Sequence, residues 1–525
     1  LRPHPVLVVL DQLEQWPAEH DELFDQFWKQ CLDDWPALRL LGLGRLGPPA
    51  FARPWTEIKL GPLDESDAIT LLSQTLRAAH EAPPAADSGR GFGSLRELAT
   101  LTGGHPEAVR RLAYELGERG VEATLVMLRP LRSELLRRHG DDPQWPLYLS
   151  LELRLRRLPN HDREQLAVLA FFRQGVNRLA LGYALEIDAA GIDALVDRLT
   201  GLELVEDQGY GHLGFDPALA HHLAKTLDPA GQPRWRERWR SGMTRFLAVI
   251  YPQYFKDGTR TTRLLRLELP NLLALLRDAQ QNAAPEALAR LAGQLEQLLA
   301  GLNIPAALAE AVAARERAGL ALQEWSRTRF ETERLRIERL RDAGSLEDAV
   351  QSTRQLQRRA QVAGADAYPG AAYDLARAGF ELGKLLKLAG AAEPAARELE
   401  TARSQFQALA DAGNVSAGRM AAVAGAEIGD CLSYLRRLQE AAAAYETALA
   451  QAAPDAISPA IAANRMQLGL VRQRQGCYAE AALLYEAARH AFEKLGEPEG
   501  AAQAWRQLGL ARKLDGQMEA ALAAC

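Results

Sequence analysis

Apolar positions change period along the chain. Val6-Leu7-Val8-Val9-Leu10 is a continuous apolar run rich in β-branched side chains, which predicts a buried parallel strand. A helical stretch around residues 19–33 follows, then a second run, Leu38-Arg39-Leu40-Leu41-Gly42-Leu43. Strand, helix and strand at this spacing predict a βαβ unit. From Pro62 the strand pattern ends. Asp64 is placed to cap a helix over 65–76, residues 82–94 read as a Pro- and Gly-rich loop, and a helix over 95–101 follows. Gly103-Gly104 then breaks the chain, and Pro106 opens the next helix. Over 145–230, helical patterns at 147–158, 163–172 and 190–202 precede two short strands around a Gly-rich turn within 204–215.

Three helices followed by a hairpin is the order of a winged helix. From Arg234 onward the pattern is all helix, and it repeats. Ile428-Gly429, Leu468-Gly469 and Leu508-Gly509 recur every 40 residues, with Ala441, Ala481 and Ala521 each 12 residues after the glycine. Tyr445 and Tyr485 follow, then Ala448 and Ala488; an earlier copy has Leu382-Gly383, Ala395 and Ala402, and residues 334–357 form a degenerate one with Ala349. Small residues at these places let two helices approach closely, while the aromatic fills the groove to the next hairpin. The fold class expected is therefore multidomain and predominantly α: a partial α/β core over 1–61, a small helical domain over 62–144, a winged helix over 145–232, and an α-α solenoid over 233–525.

Composition narrows the function. At 525 residues the chain has room for three or four domains, and 47% apolar with 25% charged residues is a globular balance. With 62 basic against 68 acidic residues the net charge is −6, which argues against a nucleic-acid coat. The winged helix is likewise expected not to bind nucleic acid directly, because its 190–202 helix sets Asp193 and Asp197 against Arg198 alone. The longest apolar run, Leu166–Phe172, is far short of the ~20 residues a bilayer requires. Cys31, Cys431, Cys477 and Cys525 have no metal-ligand spacing, and a reducing cytoplasm fits them. His221-His222 reads as a helix-surface pair, and the arginines at 137, 138, 154, 156 and 157 read as a solvated face. The chain opens at Leu1 and stops inside a helical pattern, so it is expected to be a fragment cut at both ends.

Candidate chemistry concentrates where the first strand ends. A carboxylate at the carboxyl edge of an α/β sheet sits where ligands bind. There Asp11 can hold Mg²⁺ through water, and Glu14 can polarise an attacking water for phosphoryl transfer. The stretch Leu7-Val8-Val9-Leu10-Asp11-Gln12-Leu13-Glu14-Gln15 resembles the Walker B segment of the signal-transduction NTPases with numerous domains (STAND, related to AP-ATPase and NB-ARC proteins). Further segments match the family in order. Leu40–Arg45 stands at the strand ending in a sensor Ser-Arg, Ile58–Ala68 at the entry to the small helical domain, and Leu101–Ala108 at the Gly-Gly-x-Pro segment whose proline lies against adenine. Residues 156–159, 169–172 and 199–205 resemble its winged helix, and Leu267–Leu272 its Glu-x-x-Asn-Leu segment. The repeats resemble tetratricopeptide repeats (TPR) in a lengthened form.

The resemblance implies a bacterial signalling regulator switched by ATP and ADP with Mg²⁺. Its nucleotide contacts fall at Arg45, Gly104 and Pro106. Its TPR arm senses a protein or ligand and controls homo-oligomerisation. Three departures accompany it. The phosphate-binding loop G-x-x-x-x-G-K-[ST] is absent from this sequence, Gly44 replaces the sensor serine, and Phe215 stands where the family often has a histidine near the β-phosphate. Enzymatic activity stays open, and this segment alone is expected to be inactive. The alternative is a non-catalytic TPR scaffold with a structural NTPase remnant. On the TPR concave face, Arg472, Arg474, Arg506 and Arg512 are candidates for an anionic or polar peptide, with a purely solubilising role weighed equally.

Overall fold

Strand β1 (Val6–Leu10) pairs in parallel with β2 (Leu38–Gly42), Val6 opposite Leu38, and helix α1 (Asp21–Asp34) supplies the crossover that a parallel pair requires. The computed structural model describes residues 6–10, 21–35, 37–43, 56, 58, 60–78, 89–140, 142, 145–256, 258–451 and 457–524. The chain divides into two compact units, Leu1–Leu153 and Arg154–Cys525. The expected burial of β1 is only half met: Leu7 is 61% and Val9 50% exposed. Side chains alternate between sheet faces, and one face of β1 has no cover among the described residues.

The rest of the first unit is helical. Helix α2 (Glu65–Ala78) starts as expected, because the Asp64 carboxylate accepts from the Asp67 amide (2.8 Å) and the Ser66 hydroxyl (2.9 Å). Those bonds, the Asp67 amide first, hold its pKa below the usual carboxylate value. Helix α3 (Gly89–Leu101) begins inside the stretch expected as a loop. Burial of Leu95, Leu98 and Ala99 anchors this helix, and it extends upstream through glycines that each cost about 1 kcal/mol relative to alanine. Helices α4 (Pro106–Arg119), α5 (Val121–His139) and α6 (Trp145–Leu155) follow.

The second unit opens with α7 (Asn160–Gln165) and a 3-10 segment, Leu166–Phe171, where one longer helix is expected. A strand not expected from sequence comes next, β3 (Gly175–Asn177), then α8 (Arg178–Leu185), α9 (Ala189–Gly201), β4 (Glu206–Asp207) and β5 (His212–Gly214). The expected hairpin, β4 with β5, is thus part of a three-stranded antiparallel sheet in the order β3-β5-β4, with β5 in the centre and β3 added on its other edge. Three residues are too few to show an alternating pattern, which hides β3 in the sequence. In α10 (Pro217–Thr226) His221 is exposed but His222 is fully buried, so the two are not a surface pair.

From residue 232 the chain is a succession of helical hairpins: α11 (Gln232–Tyr254) with α12 (Gly258–Asn282), α13 (Pro285–Ala300) with α14 (Pro305–Ala321), and α15 (Arg327–Asp342) with α16 (Leu346–Ala363). Then come α17 (Ala371–Leu388) with α18 (Ala392–Asp411), α19 (Val415–Tyr434) with α20 (Leu438–Ala450), α21 (Pro459–Arg474) with α22 (Tyr478–Leu495), and α23 (Pro498–Leu514) with α24 (Met518–Ala524). The repeat glycines have a steric reason. A Cβ on Gly429 would stand 2.8 Å from the Tyr445 ring, one on Gly469 2.7 Å from Tyr485, and one on Gly383 2.5 Å from Leu399. The partner lies 16 residues on in each case, so every glycine is the seat for one side chain of its own hairpin. The degenerate copy obeys the same plan, with Ala349 buried in the core between α15, α16 and α17.

Candidate functional site

First helices of successive hairpins touch in series, α13 with α15, α17 with α19 and α19 with α21, and form a common wall. Polar cross-links tie that wall together. Arg377 on α17 reaches Glu331 on α15 at 3.2 Å. Lys387 on α17 bridges Glu427 and Asp430 on α19, and the Tyr445 hydroxyl also donates to Asp430. Burial alone would lower the pKa of Lys387, but hydrogen bonds to the two carboxylates more than offset it and raise the value. Burial pushes the adjacent Cys431 thiol up to about 11.

The four arginines chosen from sequence sit on α21 and α23 in differing settings. Arg472 pairs with Glu446 and with Glu480 at 3.1 Å, and donates to Gln475 at 3.0 Å. Arg512 repeats the pattern one copy later, facing Glu486 at 3.5 Å, the residue 40 positions after Glu446. Arg474 donates to the Ser433 hydroxyl at 3.1 Å. Arg506 is exposed and has no ion pair among the described residues. Two of the four charges are thus largely satisfied inside the protein.

Of the nucleotide candidates, Asp11, Glu14 and Arg45 lie outside the described residues. Gly104 has φ +67°, and a side chain there would collide with the Leu63 carbonyl; the Leu63 amide donates to the Gly104 carbonyl at 2.8 Å. Only glycine permits both the left-handed backbone and this approach. Pro106 is the first residue of α4, where its missing N–H costs nothing, and His105 caps the helix. The Gly-Gly-x-Pro segment therefore has a backbone role in joining the α2 entry to α4. That role is independent of any ligand.

One polar constellation was not selected from sequence. Glu268 and Asn271 on α12 are fully buried, and so is nearly all of His212 on β5. His212 Nδ1 and Glu268 Oε1 are 2.5 Å apart. The Asn271 amide donates to Glu268 (2.8 Å) and to the Gly175 carbonyl (2.9 Å), and its oxygen accepts from the Arg173 amide (2.6 Å). This lock fastens the three-stranded sheet to the first repeat hairpin. The Glu-x-x-Asn spacing was visible, but its partner His212 lies 56 residues upstream, where sequence offers no signal for it.

No protein-family model matches the sequence, and no curated protein matches it. Solved structures do. The chain is similar over 99% of its length, and over 74% of the other chain, to a STAND protein with a tetratricopeptide repeat sensor from Pyrococcus horikoshii, at 14% identity and a TM-score of 0.46. It is similar to the apo form of RapI (12% identity, 53% of this chain and 74% of that one, TM-score 0.42). It is also similar to a putative kinesin light chain with TPR-like repeats from Podospora anserina (18%, 37% and 91%, TM-score 0.32).

Proposed function

We propose that the chain is part of a nucleotide-switched regulatory STAND ATPase whose TPR arm senses a protein or peptide and controls self-association. Domain boundaries fall after residues 61, 144 and 232. The observation that carries the reading is the buried His212–Glu268–Asn271 lock. It makes the sheet and the first repeat hairpin move as one body, so a displacement of the sheet unit reaches the arm. The order of helix, β3, two helices and hairpin supports the winged-helix assignment, here as a packing module: Arg198 is held by Asp162 at 2.6 Å, and Asp193 by Arg178 at 3.0 Å. In this reading Asp11 holds Mg²⁺ through water, Glu14 polarises the attacking water, and Arg45 and the Gly104–Pro106 segment border the nucleotide. A ligand on the arm shifts the resting equilibrium only by its differential affinity for the two states.

The test uses a longer chain that carries a phosphate-binding loop. Asp11→Ala is expected to weaken Mg²⁺-dependent nucleotide binding in a calorimetric titration, and Glu14→Gln to keep binding while slowing turnover. Wild-type hydrolysis by Glu14→Gln would refute the role of Glu14, and nucleotide-independent behaviour of every variant would leave the scaffold reading.

A further inference from the structure

A cleft of ≈ 610 Å³ opens on the first-helix wall, and four successive hairpins contribute to it: Tyr251 from α11, the 286–297 face of α13, the 327–335 face of α15, and Arg377 from α17. Its charge is unbalanced. Arg290, Arg327, Arg334 and Arg377 line it against Glu286 and Glu331. Glu331 is shared between Arg334 (2.8 Å) and Arg377 (3.2 Å), and Arg334 also pairs with Glu338 at 3.0 Å, so the charges of these two arginines are met inside the protein and those of Arg290 and Arg327 are the exposed ones. Glu286 accepts from the Thr328 hydroxyl at 3.1 Å. Arg327 is 68% exposed, and its one ion-pair partner among the described residues is Asp374 at 4.0 Å, the outer limit of such a contact. Arg290 is exposed and has no ion pair among the described residues.

The cleft walls are fixed. Behind them the fully buried Arg315 of α14 binds Glu296 of α13 (2.5 Å) and the Thr332 carbonyl of α15 (3.1 Å), while Arg339 binds the same Glu296 at 2.8 Å. Three helices are thereby held at one spacing, and a ligand pays little to organise the site.

We propose that this cleft is the seat of an acidic peptide segment, whose carboxylates engage Arg290 and Arg327 while its backbone crosses α13 and α15. The proposal rests on the reading of the arm as a peptide sensor and names the partner's chemistry. Guanidinium forks match carboxylates in geometry as well as charge. Helix axes about 10 Å apart make a crossing of the wall roughly six extended residues long.

The experiment pans a random dodecapeptide library against the full 525-residue chain and against the double variant R290E/R327E. Fluorescence anisotropy on one enriched peptide follows. The expected result is enrichment of Asp- and Glu-rich peptides on the wild type, binding that weakens with salt, and a loss of about a hundredfold in affinity for the double variant. R290Q/R327Q should show an intermediate loss. Hydrogen exchange of peptides from α13 and α15 serves as the folding control: R290Q/R327Q, which sets no carboxylate beside the buried Asp374, should match the wild type. Enrichment of non-acidic peptides, or undiminished binding to the double variant, overturns the acidic assignment and leaves the arm a peptide binder. If no peptide is enriched on the wild type, the sensor reading fails together with the proposal.

Discussion

Asn271→Ala removes three hydrogen bonds at once from the lock between sheet and repeats. Leaving a buried group unsatisfied costs about 1–3 kcal/mol, and more when the group is charged. The Gly175 carbonyl and the Glu268 carboxylate are both buried and would each lose the Asn271 donor. The Arg173 amide also loses its acceptor, but Arg173 is exposed and water can replace it. The expected cost is therefore about 2–6 kcal/mol, or roughly 30- to 20,000-fold in the local opening equilibrium. Repeat arrays do not unfold in one step, so a global melting curve is the wrong assay. Hydrogen exchange read by mass spectrometry is the right one. Peptides covering β3 and β5, whose backbones pair Val176 with Leu213, should exchange faster by that factor, while α21–α24 stay unchanged. Asn271→Asp adds a sharper control, since it keeps the acceptor for Arg173 but loses both donors and sets a second carboxylate against Glu268; its exchange defect should be at least as large as that of Asn271→Ala. Unchanged exchange at β3 and β5 in Asn271→Ala, or equal acceleration throughout the repeats, would refute the lock.

The repeat glycines and the buried thiol supply two more tests. Gly469→Ala gains about 1 kcal/mol in helix propensity, but its Cβ meets the fully buried Tyr485 ring at 2.7 Å, so overpacking of about 1–3 kcal/mol should speed hydrogen exchange in α21 and α22; Gly418→Ala, whose nearest neighbour is Ala410 at 3.5 Å, should leave exchange in α19 unchanged or slower. Iodoacetamide at mildly alkaline pH should label the half-exposed Cys477 while sparing Cys431, whose burial pushes its thiol up to about 11; labelling of both at equal rates would contradict the packing of α19.

Local and periodic features were legible in the sequence because they obey short-range rules. The Asp64 cap depends on residues within one turn, and it formed as expected. The 40-residue period announced the hairpins, since each repeat contacts chiefly its neighbours and must carry its own packing code: a glycine, and a side chain 16 residues on to fill it. The βαβ order at the start followed from two apolar runs and the helix between them. The segment 89–94 misled, because glycine content speaks for a loop while packing further along the helix decides otherwise.

What the sequence could not supply was pairing at a distance. Nothing local to His212 announces Glu268, and nothing near Arg472 announces that Glu446 and Glu480 use up its charge. Arginines on α21 and on α15 look alike in one dimension. Which remain available to a ligand is set by the carboxylates that neighbouring helices bring within about 4 Å, where opposite charges pair. Composition and period thus determined that this chain builds a run of stacked helical hairpins and, earlier in the sequence, a mixed α/β segment. Tertiary structure alone decided which polar groups are consumed in holding it together and which, at Arg290 and Arg327, stay exposed, because a charge is neutralised by whatever stands nearest in space and not by its neighbours in sequence.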